Sequence, residues 1–259
     1  MVLWHYSSTD VLSAIFSTDK PTLRASHINF LNDSVELKHG LEAIKSISPT
    51  IEGHTTQEVN ATIDELLNDS YDPNLYSFSL SEAKDSLYQW LAYSPKELGI
   101  SLGFEFTDNH IEIGLPHINN VFSLPLVETN DSQIPQYRKC NYFTCHTEID
   151  ESWFIWNSRK NLRPQLLTNA MFLKHGAFHF EREHRLFFHP MANSLMYVPA
   201  KFFGSKPYIE FNFEKEALKY IYVSPRGDKE VTERLVRKML STFGLNHIVV
   251  KVSEIPFRE

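Results

Sequence analysis

The most regular feature of this sequence lies at residues 76–81, where three large apolar side chains alternate with three serines. A period of two predicts a β-strand with one apolar face and one hydroxyl-lined face. Short helical patterns occur on either side along the chain, for example at residues 34–47 and 229–243, where apolar residues recur every three or four positions. No internal repeat or coiled-coil heptad interrupts this alternation. The chain is therefore predicted to be a mixed α+β protein.

The other elements follow from the same two periods. Further strands are predicted at residues 3–6, 22–28, 100–106, 178–188, 219–223 and 247–252, and further helices at 9–17, 56–68, 86–91 and 148–173. Asp33 and Glu36 have the spacing of a capping box. Residues 107–140, rich in Pro, Asn and Asp, indicate a loop or hairpin insertion. We expect one domain over residues 1–259, with mixed, mainly antiparallel central sheets and flanking helices.

The composition restricts the class of protein. At 259 residues with 42% hydrophobic side chains, the chain can bury a full core. Its two cysteines, Cys140 and Cys145, are too few for a disulfide framework and favour a reducing compartment. No stretch approaches the roughly 20 apolar residues of a membrane span, and the first residues contain no basic leader or apolar signal region. We therefore expect a cytoplasmic protein without membrane contact.

The net charge of −7 is unevenly distributed. Residues 1–135 contain 6 Lys and Arg against 19 Asp and Glu, whereas residues 136–259 contain 19 against 13. One interpretation is that the two halves neutralise each other where they meet. The other is that the basic half faces a polyanion such as RNA or DNA. The candidate contacts for a polyanion are Arg138, Lys139, Arg159, Lys160, Arg163, Arg226, Lys229, Arg234, Arg237 and Lys238.

The predicted strand at residues 178–188 contains the densest set of chemically active side chains. The period of two puts His179, Glu181, Glu183 and Arg185 on one face. Charged groups are costly to bury unless each one is paired. Such a row beside aromatic residues therefore indicates a cleft. The alternative is the exposed face of an antiparallel sheet, with cross-strand salt bridges.

Two other segments supply candidate site residues. His5 lies between two aromatic residues on the first predicted strand, as either a hydrogen-bonded wall residue or a catalytic one. Ser79 and Ser81, on the hydroxyl face, are suited to hydrogen-bond a ribose or a phosphate. A solvated strand face, or a helix N-cap in the case of Ser81, explains the same serines equally well.

A metal-dependent hydrolase or nuclease is a rival interpretation of the 178–188 segment. On a strand, only His179, Glu181 and Glu183 would converge on one ion, and their spacing fits no standard site. The sequence contains no glycine-rich phosphate loop, G-x-S-x-G elbow or H-E-x-x-H motif. P-loop enzymes, elbow hydrolases and zincins are therefore unsupported.

Several spaced blocks resemble an uncharacterised family of bacterial proteins, a domain of unknown function. The blocks are W-H-Y-S-S at 4–8, N-F-L-N-D-S-V-E at 29–36, S-F-S-L-S at 77–81, L-Y-Q-W at 87–90, G-I-S-L-G-F at 99–104, F-L-K-H at 172–175, F-E-R-E-H-R-L at 180–186 and I-P-F-R at 255–258. They occur in order over nearly the whole chain.

That family is distantly similar to ADP-ribosyltransferases, and the resemblance implies their fold and NAD as the substrate. The late-strand Glu-x-Glu of those enzymes matches Glu181 and Glu183, and their early-strand His or Arg matches His5. The resemblance implies that Glu183 stabilises positive charge on the ribose, while Glu181 positions or deprotonates the acceptor. It assigns cofactor binding to His5, Tyr6, Ser79, Ser81 and Arg185. The paired tyrosines of the better-known toxins are not found here.

The implied reaction needs a macromolecular acceptor. Bacterial transferases of this kind frequently act as toxins or in anti-phage defence, which would add an antitoxin or inhibitor protein as a partner. Trp153 and Trp156, which lie among basic residues, favour an RNA or DNA acceptor slightly over a protein. A non-catalytic nucleotide- or partner-binding module is the alternative.

Overall fold

The protein alternates helices and strands along the chain. The computed structural model describes residues 1–18, 20–31, 35–68, 73–105, 110–115, 118–125, 136–145, 149–154, 156, 161–188 and 200–257. The helices are α1 (Thr9–Ile15), α2 (Glu36–Ile47), α3 (Thr56–Leu66), α4 (Leu87–Tyr93), α5 (Leu162–Met171) and α6 (Lys229–Thr242). The strands are β1 (Val2–Ser8), β2 (Thr22–His27), β3 (Tyr76–Ser81), β4 (Gly99–Glu105), β5 (His110–Leu115), β6 (Ile118–Pro125), β7 (Gln136–Lys139), β8 (Asn141–Phe143), β9 (Leu173–His175), β10 (Glu183–Phe188), β11 (Lys201–Phe203), β12 (Lys206–Phe213), β13 (Leu218–Val223) and β14 (Val249–Val252).

Local sequence signals set the ends of several helices. Ser8 accepts a hydrogen bond from the N–H of Val11 and caps α1. Thr55 and Glu58 form a reciprocal capping box at the start of α3. After α6, Gly244 adopts a φ of 70°, in the left-handed region that commonly ends helices. The capping box predicted from Asp33 lies outside the described residues.

The sheet joins twelve strands and is mainly antiparallel. Its main path runs β14-β13-β4-β1-β3-β2-β12-β5-β6, while β10 pairs with β3 and β7, and β11 pairs with β12. Within this sheet the pairing of β13 with β14 is parallel, and β8 and β9 form a separate parallel pair. The predicted mixed α+β class with a mainly antiparallel sheet is confirmed.

The sheet divides at β3. Along one edge, β3 pairs with β10 over its whole length, from Tyr76 to Ser81. Along its other edge, β1 pairs with it at Ser81 and β2 pairs with it at Tyr76 and Ser77. Between Ser77 and Ser81 no described strand is paired to that second edge. The neighbouring strands β1 and β2 thus leave an opening beside the middle of β3.

The two faces of the sheet pack against different cores. Leu186 and Phe188 of β10 join the core that contains residues of α1 and α6. Phe187, which points the opposite way, joins the core that contains residues of α2, α3 and α5. Strand β10 is therefore buried on both faces, and any charge on it needs partners inside the protein.

One predicted helix, over residues 148–173, is wrong in extent. The described residues there form a short 3-10 helix at Glu151–Trp153, the separate helix α5 and then strand β9. Asn161 accepts a hydrogen bond from the N–H of Arg163 and caps α5. Because Asn is favoured at N-caps over helix interiors, Asn161 marked this start in the sequence.

Strand β12 was not predicted, although its sequence contains a signal for it. Its buried residues Ile209, Phe211 and Phe213 alternate with less buried ones, which is a strand period. The segment predicted as an insertion at 107–140 contributes the hairpin of β5 and β6, and β7. Strand β5 also pairs with β12, and β7 pairs with β10. Whether the segment is an insertion stays a prediction.

None of the helices in the described part of the chain has both the length and the apolar character that crossing a membrane requires.

The close packing of α2 on α5 gives a stability prediction. A Cβ added at Gly40 would lie 2.3 Å from the carbonyl oxygen of Ala170, which is backbone and has little freedom to move. Helix propensity alone would make Gly40→Ala stabilising by about 1 kcal/mol. We expect the clash to reverse the sign and to destabilise the protein by about 1–3 kcal/mol in urea unfolding. Glu42→Ala, on the exposed side of α2, should change little, and a more stable Gly40→Ala variant would contradict this packing.

Candidate active site

The two glutamates of the predicted Glu-x-Glu pair lie on different elements. Residues Gly176–Glu181 form a 3-10 helix, and Arg182 ends it with a φ of 44° in the left-handed region. Strand β10 begins only at Glu183. The predicted strand over residues 178–188 is therefore wrong in its first half. Both carboxylates still reach the same interior space, where each contacts Lys174.

Five buried charged side chains form one cluster in that space, which we call the charged cluster. Its members are Glu36 at the start of α2, Lys174 on β9, Glu181 on the 3-10 helix, and Glu183 and Arg185 on β10. Each is at most 7% exposed, so the alternative of a solvent-exposed sheet face is wrong for Glu183 and Arg185.

Lys174 is the centre of the cluster. Its Nζ lies 2.8 Å from Glu36 Oε1, 2.5 Å from Glu181 Oε2 and 2.9 Å from Glu183 Oε2. One ammonium thus joins carboxylates from a helix, a 3-10 helix and a strand. The ammonium donates hydrogen bonds to Glu181 and Glu183, whereas its contact with Glu36 Oε1 is an ion pair without hydrogen-bond geometry.

Arg185 completes the pairing. Its Nε and Nη2 donate to the two oxygens of Glu183 at 2.9 and 2.8 Å. Nη2 also donates to Glu36 at 2.6 Å, and Nη1 donates to the carbonyl oxygen of Met171 at 2.6 Å. The planar guanidinium is suited to this forked contact with a carboxylate.

The cluster separates the proton affinities of its two central carboxylates. Burial opposes the ionisation of Glu183, but the charges of Arg185 and Lys174 outweigh burial and hold the pKa of Glu183 well below its ordinary value. Burial raises the pKa of Glu181, and the charge of Lys174 offsets only part of this. Glu183 is therefore an anion at neutral pH, whereas Glu181 is the stronger base of the pair. Such a division is typical of acid and base pairs in active sites, although structural ion-pair clusters also produce it.

His5 lies at the opening in the sheet. Its Nδ1 is 3.0 Å from the carbonyl oxygen of Ser79, in the stretch of β3 without a paired strand on that edge. Because a carbonyl only accepts hydrogen bonds, Nδ1 must hold the proton. Burial lowers the pKa of His5, which favours the neutral ring and leaves Nε2 as an acceptor. The ring also packs on Phe78, with 4.5 Å between centroids.

Two adjoining cavities open at the division of the sheet, and we call them together the cleft. The larger has a volume of about 490 Å³ and the smaller about 90 Å³. His5, Ser79, Tyr93 and Glu183 line both. The larger cavity lies within the range of about 300–1,000 Å³ that is usual for small-molecule sites.

All seven residues predicted for the site line this cleft. The smaller cavity is lined by His5, Tyr6, Ser79, Ser81, Glu181 and Glu183, and the larger by His5, Ser79, Glu183 and Arg185. The structure therefore brings the predicted residues together, while their roles stay predictions.

Two of the predicted ligand-binding hydroxyls already have partners within the protein. Tyr6 donates to the carbonyl oxygen of Ala83 at 2.6 Å and accepts from the N–H of Ser86 at 3.1 Å, which holds the segment before α4. Ser81 donates to the carbonyl oxygen of Glu181 at 2.5 Å. Ser79 therefore has the hydroxyl better suited to meet a ligand.

Positive charge and an aromatic ring lie along the larger cavity. Arg24 on β2 and Lys206 on β12 both line it, as does Phe30, whose side chain is 40% exposed. Arg24 and Lys206 were not predicted as site residues, because they meet through the pairing of β2 with β12, and β12 was missed. Strands far apart in sequence give no local signal of such a meeting.

Glu36, Lys174 and Tyr93 were also missed as site residues. Tyr93 donates a hydrogen bond to Glu181 Oε1 at 2.5 Å from the last turn of α4. Lys174 did leave a sequence signal, because it is a lone charge directly after the buried residues Phe172 and Leu173. Buried lone charges in apolar runs usually have a partner.

The metal interpretation finds no support in the described residues. His179 is exposed and bonds the carbonyl oxygen of Gly176, at 2.8 Å from its Nδ1. Within the described ranges no group of three or more His, Cys, Asp or Glu side chains is arranged to hold a metal ion. The ammonium of Lys174 lies where the carboxylates converge.

Several basic residues of the second half contact the acidic first half. Lys139 pairs with Glu82, and Arg163 pairs with Glu65. Arg138 is buried, with its guanidinium carbon 3.8 Å from the ring centre of Trp153. The pairs of Lys139 with Glu82 and of Arg163 with Glu65 agree with neutralisation between the halves. Arg159 and Lys160 lie outside the described residues.

Comparison of the chain with protein families, with curated proteins and with solved structures finds no match.

Removing the central ammonium tests the role of the charged cluster. Lys174→Met keeps a long, unbranched side chain but removes the ammonium. Three buried carboxylates then have Arg185 as their remaining cation. We expect a loss of about 3–5 kcal/mol in the free energy of unfolding at pH 7, measured with urea. Lys45→Met, which breaks the exposed pair with Asp64, should change stability little.

The pH dependence of that loss distinguishes charge from packing. Without the ammonium, the pKa of Glu181 in the folded variant should rise further above its ordinary value, and the pKa of Glu183 should rise from its lowered value. The folded variant then binds more protons than the folded wild type. Its free energy of unfolding is therefore closest to that of the wild type at low pH, and the difference grows as the pH rises through the raised folded pKa. The deficit of Lys174→Met relative to wild type should therefore shrink between pH 7 and pH 5. A constant deficit over that interval would contradict the ion-pair role.

Proposed function

We propose that the protein is an ADP-ribosyltransferase that uses NAD and transfers ADP-ribose to a macromolecular acceptor. One observation carries the proposal: the ionised carboxylate of Glu183 meets His5 and Ser79 in a single cleft, and Arg24 and Lys206 line the larger cavity of the same cleft. An anion for the ribose and cations for a diphosphate are the two charges that NAD requires of a site.

The chemistry needs a carboxylate at the ribose. In the reaction the C1′–N bond of the nicotinamide ribose breaks and its electron pair leaves with nicotinamide. The acceptor nucleophile forms a bond to C1′, and its proton passes to a base. Positive charge develops on the ribose as the bond breaks, and a carboxylate bonded to the 2′-hydroxyl stabilises it.

Glu183 has the free capacity for that contact. Its Oε2 has three donors nearby, Arg185, Lys174 and the more distant Cys140 thiol at 3.8 Å. Its Oε1 accepts one described hydrogen bond, from Nε of Arg185. A carboxylate oxygen accepts two hydrogen bonds, so Oε1 can take one more from a ribose hydroxyl.

The other side chains of the cleft fit supporting roles. Arg24 and Lys206 would hold the diphosphate, and Phe30 would pack on an aromatic base. Neutral His5 would accept a hydrogen bond at Nε2, and Ser79 would bond a ribose or the nicotinamide amide. Glu181, with its raised pKa, would take the proton of the acceptor.

The proposed ADP-ribosyltransferase-like fold is supported by the division of the sheet at β3. A cleft between diverging strands gives an extended substrate access to a carboxylate on a central strand. Arg185 would then act through Glu183, because four of its five N–H groups already donate to Glu183, Glu36 and the carbonyl oxygen of Met171.

A binding module without turnover is the second candidate. The pairing of Glu183 with two cations favours it, since a carboxylate held by Arg185 and Lys174 has a reduced negative potential to offer a substrate. Binding of NAD without release of nicotinamide would identify this case.

The test follows NAD labelled in its adenylate half. Wild-type protein is incubated with labelled NAD and with total bacterial RNA, DNA or lysate protein, in the presence of a chelator. We expect nicotinamide release and label on a macromolecular fraction. Glu183→Gln should lower both by about 100-fold or more, while Glu65→Gln, an exposed glutamate on α3 that pairs with Arg163 outside the cleft, should stay within a few-fold of wild type.

A second variant covers loss of folding. If Glu183→Gln unfolds, as judged by circular dichroism, His5→Asn is used, because the Asn amide can still donate to the Ser79 carbonyl but has no counterpart of Nε2. Wild-type protein that releases no nicotinamide in any fraction would contradict the proposal, and so would full activity in a folded Glu183→Gln protein.

A further inference from the structure

Five strands, β11, β12, β2, β3 and β10, pair in this order and are antiparallel. Their pairing defines one continuous side-chain face. Residues directly opposite each other in an antiparallel pair point to the same side. The opposite pairs are Phe203 with Lys206, Lys201 with Tyr208, Tyr208 with Ser26, Glu210 with Arg24, Ser26 with Ser77, Ser79 with Arg185 and Ser81 with Glu183. The period of two connects these pairs into one surface. That surface runs from the tip of the β11–β12 hairpin to the carboxylate of the proposed active site.

The outer part of this surface is aromatic and basic. Phe203 is 72% exposed. The guanidinium carbon of Arg24 lies 4.5 Å from the ring centre of Tyr208 and 5.9 Å from that of Phe203. Lys201 and Lys206 flank the two rings through the strand pairing. We call Arg24, Lys201, Phe203, Lys206 and Tyr208 the hairpin platform.

The charge of the platform suits a polyanion. Its three cations face one carboxylate, Glu210, which lies 2.5 Å from Lys201 and 3.7 Å from Arg24. The platform therefore keeps a net positive charge. Lys206 has no ion pair among the described residues and also lines the larger cavity, so that positive charge continues from the hairpin to the cleft.

We propose that the hairpin platform binds single-stranded nucleic acid and leads one nucleotide toward the cleft as the acceptor. The proposal rests on the proposed transferase function for the fate of that nucleotide, but the binding itself is independent of it. Exposed aromatic rings stack unpaired bases, a guanidinium plane does the same, and lysines hold the phosphates. An uncharged, apolar partner surface would not need the three cations.

The neighbouring residue supplies a matched control. Phe202 is 69% exposed and lies on the same strand, but its side chain points to the opposite face, with that of Pro207. The two phenylalanines therefore have the same chemistry, strand and exposure, and differ in which face they occupy. Neither lines the cleft.

The test measures binding of a fluorescein-labelled 20-nucleotide single strand, as RNA and as DNA, by fluorescence anisotropy without NAD. Phe203→Ala should weaken binding by about fivefold to a hundredfold, the range for losing one stacked base. Phe202→Ala should stay within about twofold of wild type, and affinity should fall as salt rises. Duplex DNA of the same length should bind more weakly, because its bases are already stacked.

Two results would overturn the proposal. One is wild-type protein that binds no single strand. The other is equal weakening by Phe202→Ala and Phe203→Ala. If the protein then also binds anionic lipid vesicles, the hairpin tip inserts into a membrane surface.

Nicotinamide release from NAD with water as the acceptor is measured on the same variants and should be unchanged. If the protein binds the single strand but releases no nicotinamide, the platform proposal stands and the transferase proposal fails. If it releases nicotinamide but binds no single strand, the transferase proposal stands and the platform proposal fails.

Discussion

The ion pairs of Lys174 hold together the parts of the protein that form its cleft. The ammonium joins the 3-10 helix and β10, which closely follow Lys174 in sequence, to α2, which lies more than 120 residues before it. Removing five charges from water costs several kcal/mol for each ion unless the pairing is nearly complete. Lys174 and Arg185 meet that condition only in part, because they face three carboxylates and Glu36 Oε1 accepts no hydrogen bond among the described residues. A buried cluster of this kind is weak evidence for stability, and we interpret it through the candidate site that it lines.

The division of the sheet and the cluster depend on each other. Strand β3 pairs with β10 along one edge and leaves the middle of its other edge open. The backbone there still needs hydrogen-bond partners, and His5 provides one for Ser79. Glu183, although buried, borders a cavity of about 490 Å³ beside this opening.

Much of the fold could be predicted from residue periodicity, because many elements are amphipathic. The alternation at residues 76–81 gives β3, and the caps at Ser8 and Thr55 give the starts of two helices. The strand predicted at 178–188 is wrong over its first half, because a period of two continues by chance through the 3-10 helix and no local signal marks the left-handed Arg182. Glu181 and Glu183 nevertheless lie close together, as expected, since both contact Lys174. Arg24 and Lys206 could not be found, because only the tertiary pairing of β2 with β12 unites them.

The most direct measurement is a crystal structure with an NAD analogue whose nicotinamide is joined to the ribose by a carbon–carbon bond that cannot be cleaved. Our account predicts a ribose hydroxyl within hydrogen-bond distance, about 2.5–3.0 Å, of Glu183 Oε1. It also predicts the diphosphate beside Arg24 and Lys206. An analogue bound away from the cleft, or one that does not bind at millimolar concentration, would contradict the central claim that this cleft is an NAD site.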